Sequence, residues 1–202
     1  VLFKNYAGYD IFVSVKILEN IRRHLFMRNV TRRAGRGTLA CGLDDARRIG
    51  ILYHAGYEGS EELIRNFAQE IKTPRNEVRT LGFVPTKHED ELPKARLGMD
   101  FFGLRGLDFS YRSSAGEVIT FTETPFDMLI DLNVTGEPSL LRICADSAAR
   151  FKVGGRGRGA CFLDLVIENN PTTARYSEVK KISELIKYIQ QYANTFQPHA
   201  AR

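Results

Sequence analysis

The chain has 202 residues, of which 43% are apolar and 26% charged, enough for one sizeable core and at most one appendage. No apolar run reaches the length needed to span a bilayer, and the N-terminus has no secretory layout, so a cytoplasmic protein is expected. The formal charge of +5 is unevenly spread: residues 1–50 hold ten Arg or Lys against four Asp or Glu, while residues 51–202 net −1. Basicity belongs to the N-terminal arm, and that is where a polyanion would bind.

In chain order, residues 10–28 predict a helix. Ile11, Val15, Leu18, Leu25 and Phe26 give an apolar stripe, Lys16, Arg22, Arg23 and Arg28 a polar side, and Asp10 an N-cap. Residues 29–46, with Arg32, Arg33 and Arg36 among glycines, read as a linker with too little apolar surface to hold itself in place. A strand is predicted over 47–54, then a helix over 60–72 capped by Ser60, with Leu63, Ile64, Phe67, Ala68 and Ile71 on its buried face. A second strand spans 76–84. Residues 86–99 read as a loop or short helix, Phe101 and Phe102 as the start of a short strand, and 106–111 as a strand or turn.

The clearest strand is FDMLIDLN, 126–133, whose continuous apolar run suits an interior parallel strand. A helix follows over 137–149 with Pro138 in its first turn. Strands over 150–155 and 161–168 flank the turn GRGRG, 155–159. A final helix covers 174–195, with Val179, Ile182, Leu185, Ile186 and Ile189 buried. Alternating strands and helices imply right-handed crossovers. The expected fold is a single Rossmann-like, three-layer α/β domain over 47–196, its sheet mainly parallel. A basic helix and arm, 1–46, precede it and a tail, 197–202, follows. Ligands in such folds sit outside the carboxyl ends of the strands, which selects the loops 54–60, 85–90, 133–138 and 155–159.

Chemistry-bearing residues cluster in those loops. HAGYEGS places His54, Gly56, Glu58, Gly59 and Ser60 between a strand and a helix N-terminus, a geometry that could cradle a phosphate. It matches neither the dinucleotide fingerprint nor the P-loop, so no cofactor is expected. Asp131 and Asn133, near the carboxyl end of the central strand, could orient a sugar hydroxyl, or Asp131 could accept backbone hydrogens from its own loop. Glu123 and Asp127 would work as an acid–base pair only if the fold brought them together. Arg156 and Arg158 among glycines could hold phosphates with their guanidinium forks, or line a solvated turn. The four histidines make no ligand pair, so no metal is expected. Cys41, Cys144 and Cys161 form no disulfide framework. Cys144 and Cys161 are expected as buried thiols and Cys41 as an exposed one.

Two resemblances arise. LYHAGYEGSEELIRNFAQEI, VRTLGFV and PFDMLIDLNVTGEPSLLRICADSAARFKVG resemble an uncharacterised family of Bacteroidetes, a domain of unknown function, over roughly residues 10–195. That resemblance implies a fold and a phylum but no activity. FDMLIDLN, the helix with paired leucines and ARFKVG resemble, more distantly, the acceptor-side N-terminal domain of the heptosyltransferase family. That family implies two Rossmann-like domains around a cleft. Here Glu58 would stand where its glycine-rich loop carries a catalytic Asp, and the donor-binding domain has no counterpart.

Three functions compete. The leading expectation is a non-catalytic binding or accessory protein, RNA- or ribosome-associated through Lys16, Arg22, Arg23, Arg28, Arg32, Arg33 and Arg36. The alternative is a transferase-type enzyme or sensor for a phosphorylated or glycosyl ligand. A third is a structural subunit of a protein complex, bound through the apolar stripe of residues 11–26, within the partner-binding segment 11–36.

Overall fold

The computed structural model describes residues 21, 22, 24, 26, 38–157, 159–168 and 176–193. Six strands form one sheet: β1 Arg48–His54, β2 Glu77–Phe83, β3 Met99–Phe102, β4 Met128–Asp131, β5 Phe151–Gly155 and β6 Leu165–Ile167. Every adjacent pair is parallel, and the order is β3-β2-β1-β4-β5-β6. The helices are α1 Ser60–Glu70, α2 Gly116–Glu123, α3 Pro138–Asp146 and α4 Glu178–Ala193.

Burial explains why the central strands have near-continuous apolar sequences. In β1, all residues from Ile49 to His54 are buried, and all four of β4 are. Successive side chains then serve two cores. Ile49, Ile51, Tyr53, Met128, Ile130 and Val153 face one, with Ile64 and Phe67 of α1 and Ile182, Leu185, Ile186 and Ile189 of α4. Leu52, Leu81, Phe83 and Leu129 face the other, with Val118 and Phe121 of α2 and Leu140, Leu141, Ile143 and Cys144 of α3. Helices α1 and α4 touch on one side, α2 and α3 on the other. The result is the three-layer α/β arrangement that the alternating pattern implied, with a sheet that is wholly rather than mainly parallel.

Several elements differ from expectation. Helix α2 was not anticipated: Val118, Ile119, Thr120 and Thr122 favour strands, yet burying Val118 and Phe121 against the sheet outweighs that preference. The apolar run 161–168 does not make one strand. Ala160–Phe162 is a 3-10 turn that drops Phe162 and Leu163 into the core, leaving three residues for β6. Cys161 is accordingly exposed, not buried, whereas Cys144 is buried and Cys41 half-buried. Ser60 is the first residue of α1 and not its cap. Gly59 occupies the cap position with φ +80°, and the Ser60 hydroxyl donates to the carbonyl of Tyr57. Leu43 and Ala46, read as linker, are buried in the α1–α4 core, because the chain is already pinned there ahead of β1. The Leu39 amide donates to the Arg150 carbonyl at 3.4 Å.

Most of the residues predicted to form a leading helix, including Lys16, Arg23 and Arg28, lie outside the described residues, as do Arg32, Arg33, Arg36 and Arg158. Ile21, Arg22, His24 and Phe26 carry helical backbone. None of the helices among the described residues is long and apolar enough to cross a membrane.

Candidate functional site

The strand order reverses between β1 and β4, so the loops after them, 55–59 and 132–137, diverge at the sheet's topological switch point. His54 ends β1 with its ring stacked on Tyr57 at 4.2 Å and edge-on to Phe83 at 5.3 Å. Its Nδ1 accepts a hydrogen bond from the Gly56 amide at 3.1 Å, which requires that nitrogen to be unprotonated. Burial lowers the imidazole's pKa below its ordinary 6.5, against a smaller upward push from its own backbone hydrogen bond. Gly56 is forced by packing: a Cβ there would lie 2.6 Å from Pro85 Cδ and 2.8 Å from His54 Cε1. Glu58 and Gly59 are exposed.

This geometry sets a pH response. The folded state disfavours the protonated imidazole, so His54 contributes stability above pH 6.5 that is lost as the pH falls through its lowered folded value. In urea titrations at pH 7.5 and 5.5, wild type should lose more stability on acidification than His54→Asn, whose amide oxygen can still accept from Gly56.

Asp131 ends β4 and points beneath α3. Burial raises its carboxyl to about 6, opposed by hydrogen bonds from the Asn133 amide and the Cys144 side chain and by attraction to Lys152. The Asn133 amide donates to its Oδ1 at 3.0 Å. Asn133 in turn closes its loop through Glu137: its Oδ1 accepts from the Glu137 amide (2.8 Å) and its Nδ2 donates to the Glu137 carbonyl (3.0 Å). Glu137 then caps α3, accepting from the Ser139 amide, with Pro138 at the first helical position. Lys152, on the neighbouring strand, is 1% exposed, and its Nζ donates to the carbonyls of Cys144 and Ala145 near the end of α3.

The chain therefore gathers His54, Gly56 and Tyr57 after β1, and Asp131, Asn133 and Glu137 after β4. Arg156, after β5, is exposed and pairs with Glu168 at 2.6 Å. Glu123 ends α2, while Asp127 accepts from the Arg47 and Arg48 amides, so the two carboxylates serve different parts of the fold. Gly159 closes over Asp131: a Cβ there would sit 2.5 Å from Leu141 and 3.6 Å from Asp131 Oδ2. Composition alone missed Lys152 and the Cys144 contact. The available signal was a lysine between two buried positions of a five-residue strand.

Two clefts lie elsewhere. One, about 280 Å³, runs between α2 and α3 and is lined by Tyr111, Arg112, Ile119, Glu123, Arg142 and Asp146 among others. The other, about 350 Å³, is at the amino ends of the strands, between Leu39, Cys41, Asp45, Arg47, Asp127 and Arg150. Burial, the leading cause, together with Asp127 and Asp45 pushes the Cys41 thiol up to about 11, so it is not a thiolate at neutral pH. Among the described residues, no group of three or more His, Cys, Asp or Glu side chains could hold a metal ion.

An all-parallel sheet ordered 3-2-1-4-5-6 with helices on both faces defines a Rossmann-like α/β protein. The chain belongs to a family of unknown function, DUF6913, whose model matches residues 19–191. Comparison with curated proteins and with solved structures finds no match.

Proposed function

We propose that this protein is a non-catalytic accessory protein that binds RNA, as in ribosome association, through its basic N-terminal segment. The α/β domain serves to carry and orient that segment. The observation that carries this reading is the charge partition, +6 in residues 1–50 against −1 in the remainder. The strand-end groups support it from the other side, since His54, Asp131, Asn133 and Arg156 are each engaged by the chain's own atoms. Lys16, Arg23, Arg28, Arg32, Arg33 and Arg36 are the proposed phosphate contacts, with Arg22 as the anchor that joins them to the domain.

Binding to a mixed-sequence single-stranded RNA, followed by fluorescence anisotropy, tests this. With about five phosphates contacted, affinity should fall about a hundredfold between 50 and 200 mM salt. The quadruple variant Arg28→Ala, Arg32→Ala, Arg33→Ala, Arg36→Ala should bind weakly and with a shallower salt slope. No binding at 50 mM salt, or binding unchanged in the variant, would remove the proposal.

One observation favours a second reading, a small-molecule site. The β1 and β4 loops flank the switch point, where folds of this type hold ligands. A phosphorylated or glycosyl ligand handled by Asp131 and Asn133 is its most specific form, in keeping with the resemblance to the heptosyltransferase acceptor domain. A rise in melting temperature with sugar phosphates, in a protein that ignores RNA, would select it.

A further inference from the structure

The Arg22 side chain docks onto the loop before α2. Its Nε donates to the Phe109 carbonyl at 2.9 Å and its second guanidinium nitrogen to the Asp108 carbonyl at 2.5 Å. The same guanidinium lies 3.8 Å above the centroid of Tyr111 and 5.6 Å from that of Phe109. Phe26, one helical turn on, meets Tyr111 edge to face at 5.4 Å and is 5% exposed. Arg22 and Phe26 are spaced i, i+4, so a helix presents both on one face.

Internal hydrogen bonds brace much of the loop that receives them. Asp108 Oδ1 accepts from the Ser110 amide (2.7 Å), the Ser110 hydroxyl (2.8 Å) and the Arg112 amide (2.9 Å). Leu107 and Ser113 form an isolated antiparallel bridge across the loop's base. The Asp108 carbonyl closes the turn by accepting from the Tyr111 amide at 3.1 Å, and its oxygen also receives the guanidinium. Tyr111 has φ +62° and is the sole residue other than glycine with positive φ among the described residues. A bulky aromatic is costly in that conformation and persists only where its surroundings hold it. Here the strained backbone sits beneath a ring, 4% exposed, whose face meets Arg22 and whose surroundings include Phe26.

We infer that loop 106–113 is an arginine-recognition site whose ligand is the Arg22–Phe26 face of the segment that precedes the domain. Two carbonyl acceptors and one aromatic face match the planar fork of a guanidinium and not the point charge of an ammonium. The site is an anchor for the basic segment: it fixes where the segment meets the domain without being part of the sheet. This stands whether or not the segment binds RNA.

Amide hydrogen exchange on the full chain tests it. Arg22→Lys, which keeps the charge but loses the fork, and Tyr111→Leu, which keeps apolar bulk but loses the ring, should each speed exchange at Arg22, His24 and Phe26 about tenfold. The amides of β1, which report global opening, should be unchanged in Arg22→Lys. Tyr111→Leu checks the same site from the loop side. Exchange at those three positions as slow in Arg22→Lys as in wild type would overturn the inference. RNA affinity, measured separately, is not the readout, so loss of RNA binding in wild type would leave the anchor standing.

Discussion

Replacing Lys152 with methionine should cost about 2–4 kcal/mol of folding stability, the scale for withdrawing a buried charged donor from two buried acceptors. The side chain is 1% exposed and reaches two carbonyls in the last turn of α3, Cys144 and Ala145. Those carbonyls have no continuing helix to receive them, and they carry the negative end of the helix dipole. An ammonium beneath them supplies donors and opposite charge together. Methionine fills a similar volume but withdraws the donor from both carbonyls and removes the cation that attracts Asp131.

The pH dependence separates these losses. Burial raises the Asp131 carboxyl to about 6 from an ordinary 3.8, so the folded state holds its proton more firmly than the unfolded chain does. Its contribution to stability is then fully present below about pH 4 and is lost as the pH rises through 6. Without Lys152 the carboxylate is less well compensated, so Lys152→Met should be penalised more at pH 8 than at pH 5. Adding Asp131→Asn should recover part of the loss at pH 8, a coupling that a double-mutant cycle in urea measures directly. A single variant as stable as wild type at pH 8 would contradict this account of the pair.

The second large effect is at Gly154. A Cβ there would stand 2.7 Å from the Asp131 carbonyl oxygen and 3.1 Å from both Asp131 Cβ and Leu163 Cδ1. Gly154 is the register partner of Asp131 across β4 and β5, so the nearest obstacle is the backbone of a central strand, which cannot rotate away. Gly154→Ala should cost about 2–3 kcal/mol through strand displacement. Gly157→Ala, two residues past β5 with open space around its Cβ position, should change stability by less than about 0.5 kcal/mol. Urea midpoints of the two variants give the comparison. Equal midpoints would mean that β4 and β5 are not packed as closely as described.

The sequence announced the elements whose pattern has one physical cause. Apolar runs marked β1 and β4 because both strands are buried on two faces. The amphipathic spacing of Ile64 with Phe67, and of Ile182 with Leu185 and Ile189, marked helices that cover a sheet. Pro138 marked a helix start because its missing N–H costs nothing there. What stayed hidden depended on partners distant in the chain. Residues 116–123 carry strand-forming side chains and become a helix only because the sheet offers a face for Val118 and Phe121. The run 161–168 mixes residues for a turn, a core and an edge strand, and hydrophobicity alone does not divide them. His54 and Asp131 were placed correctly at strand ends, but whether each meets a ligand or its own loop depends on contacts such as the Gly56 and Asn133 amides. Lys152 and Tyr111 were invisible for the same reason: a charge under a helix and a strained aromatic under an arginine are properties of the folded neighbourhood.

Phe26 and Leu43 are both buried in the domain, one in each core, and the chain between them includes Arg28, Arg32, Arg33 and Arg36. Both flanks of that cationic stretch are thus held by the folded domain. Covalent reach alone, about 3.5 Å per residue, ties those four arginines to the neighbourhood of the two buried points.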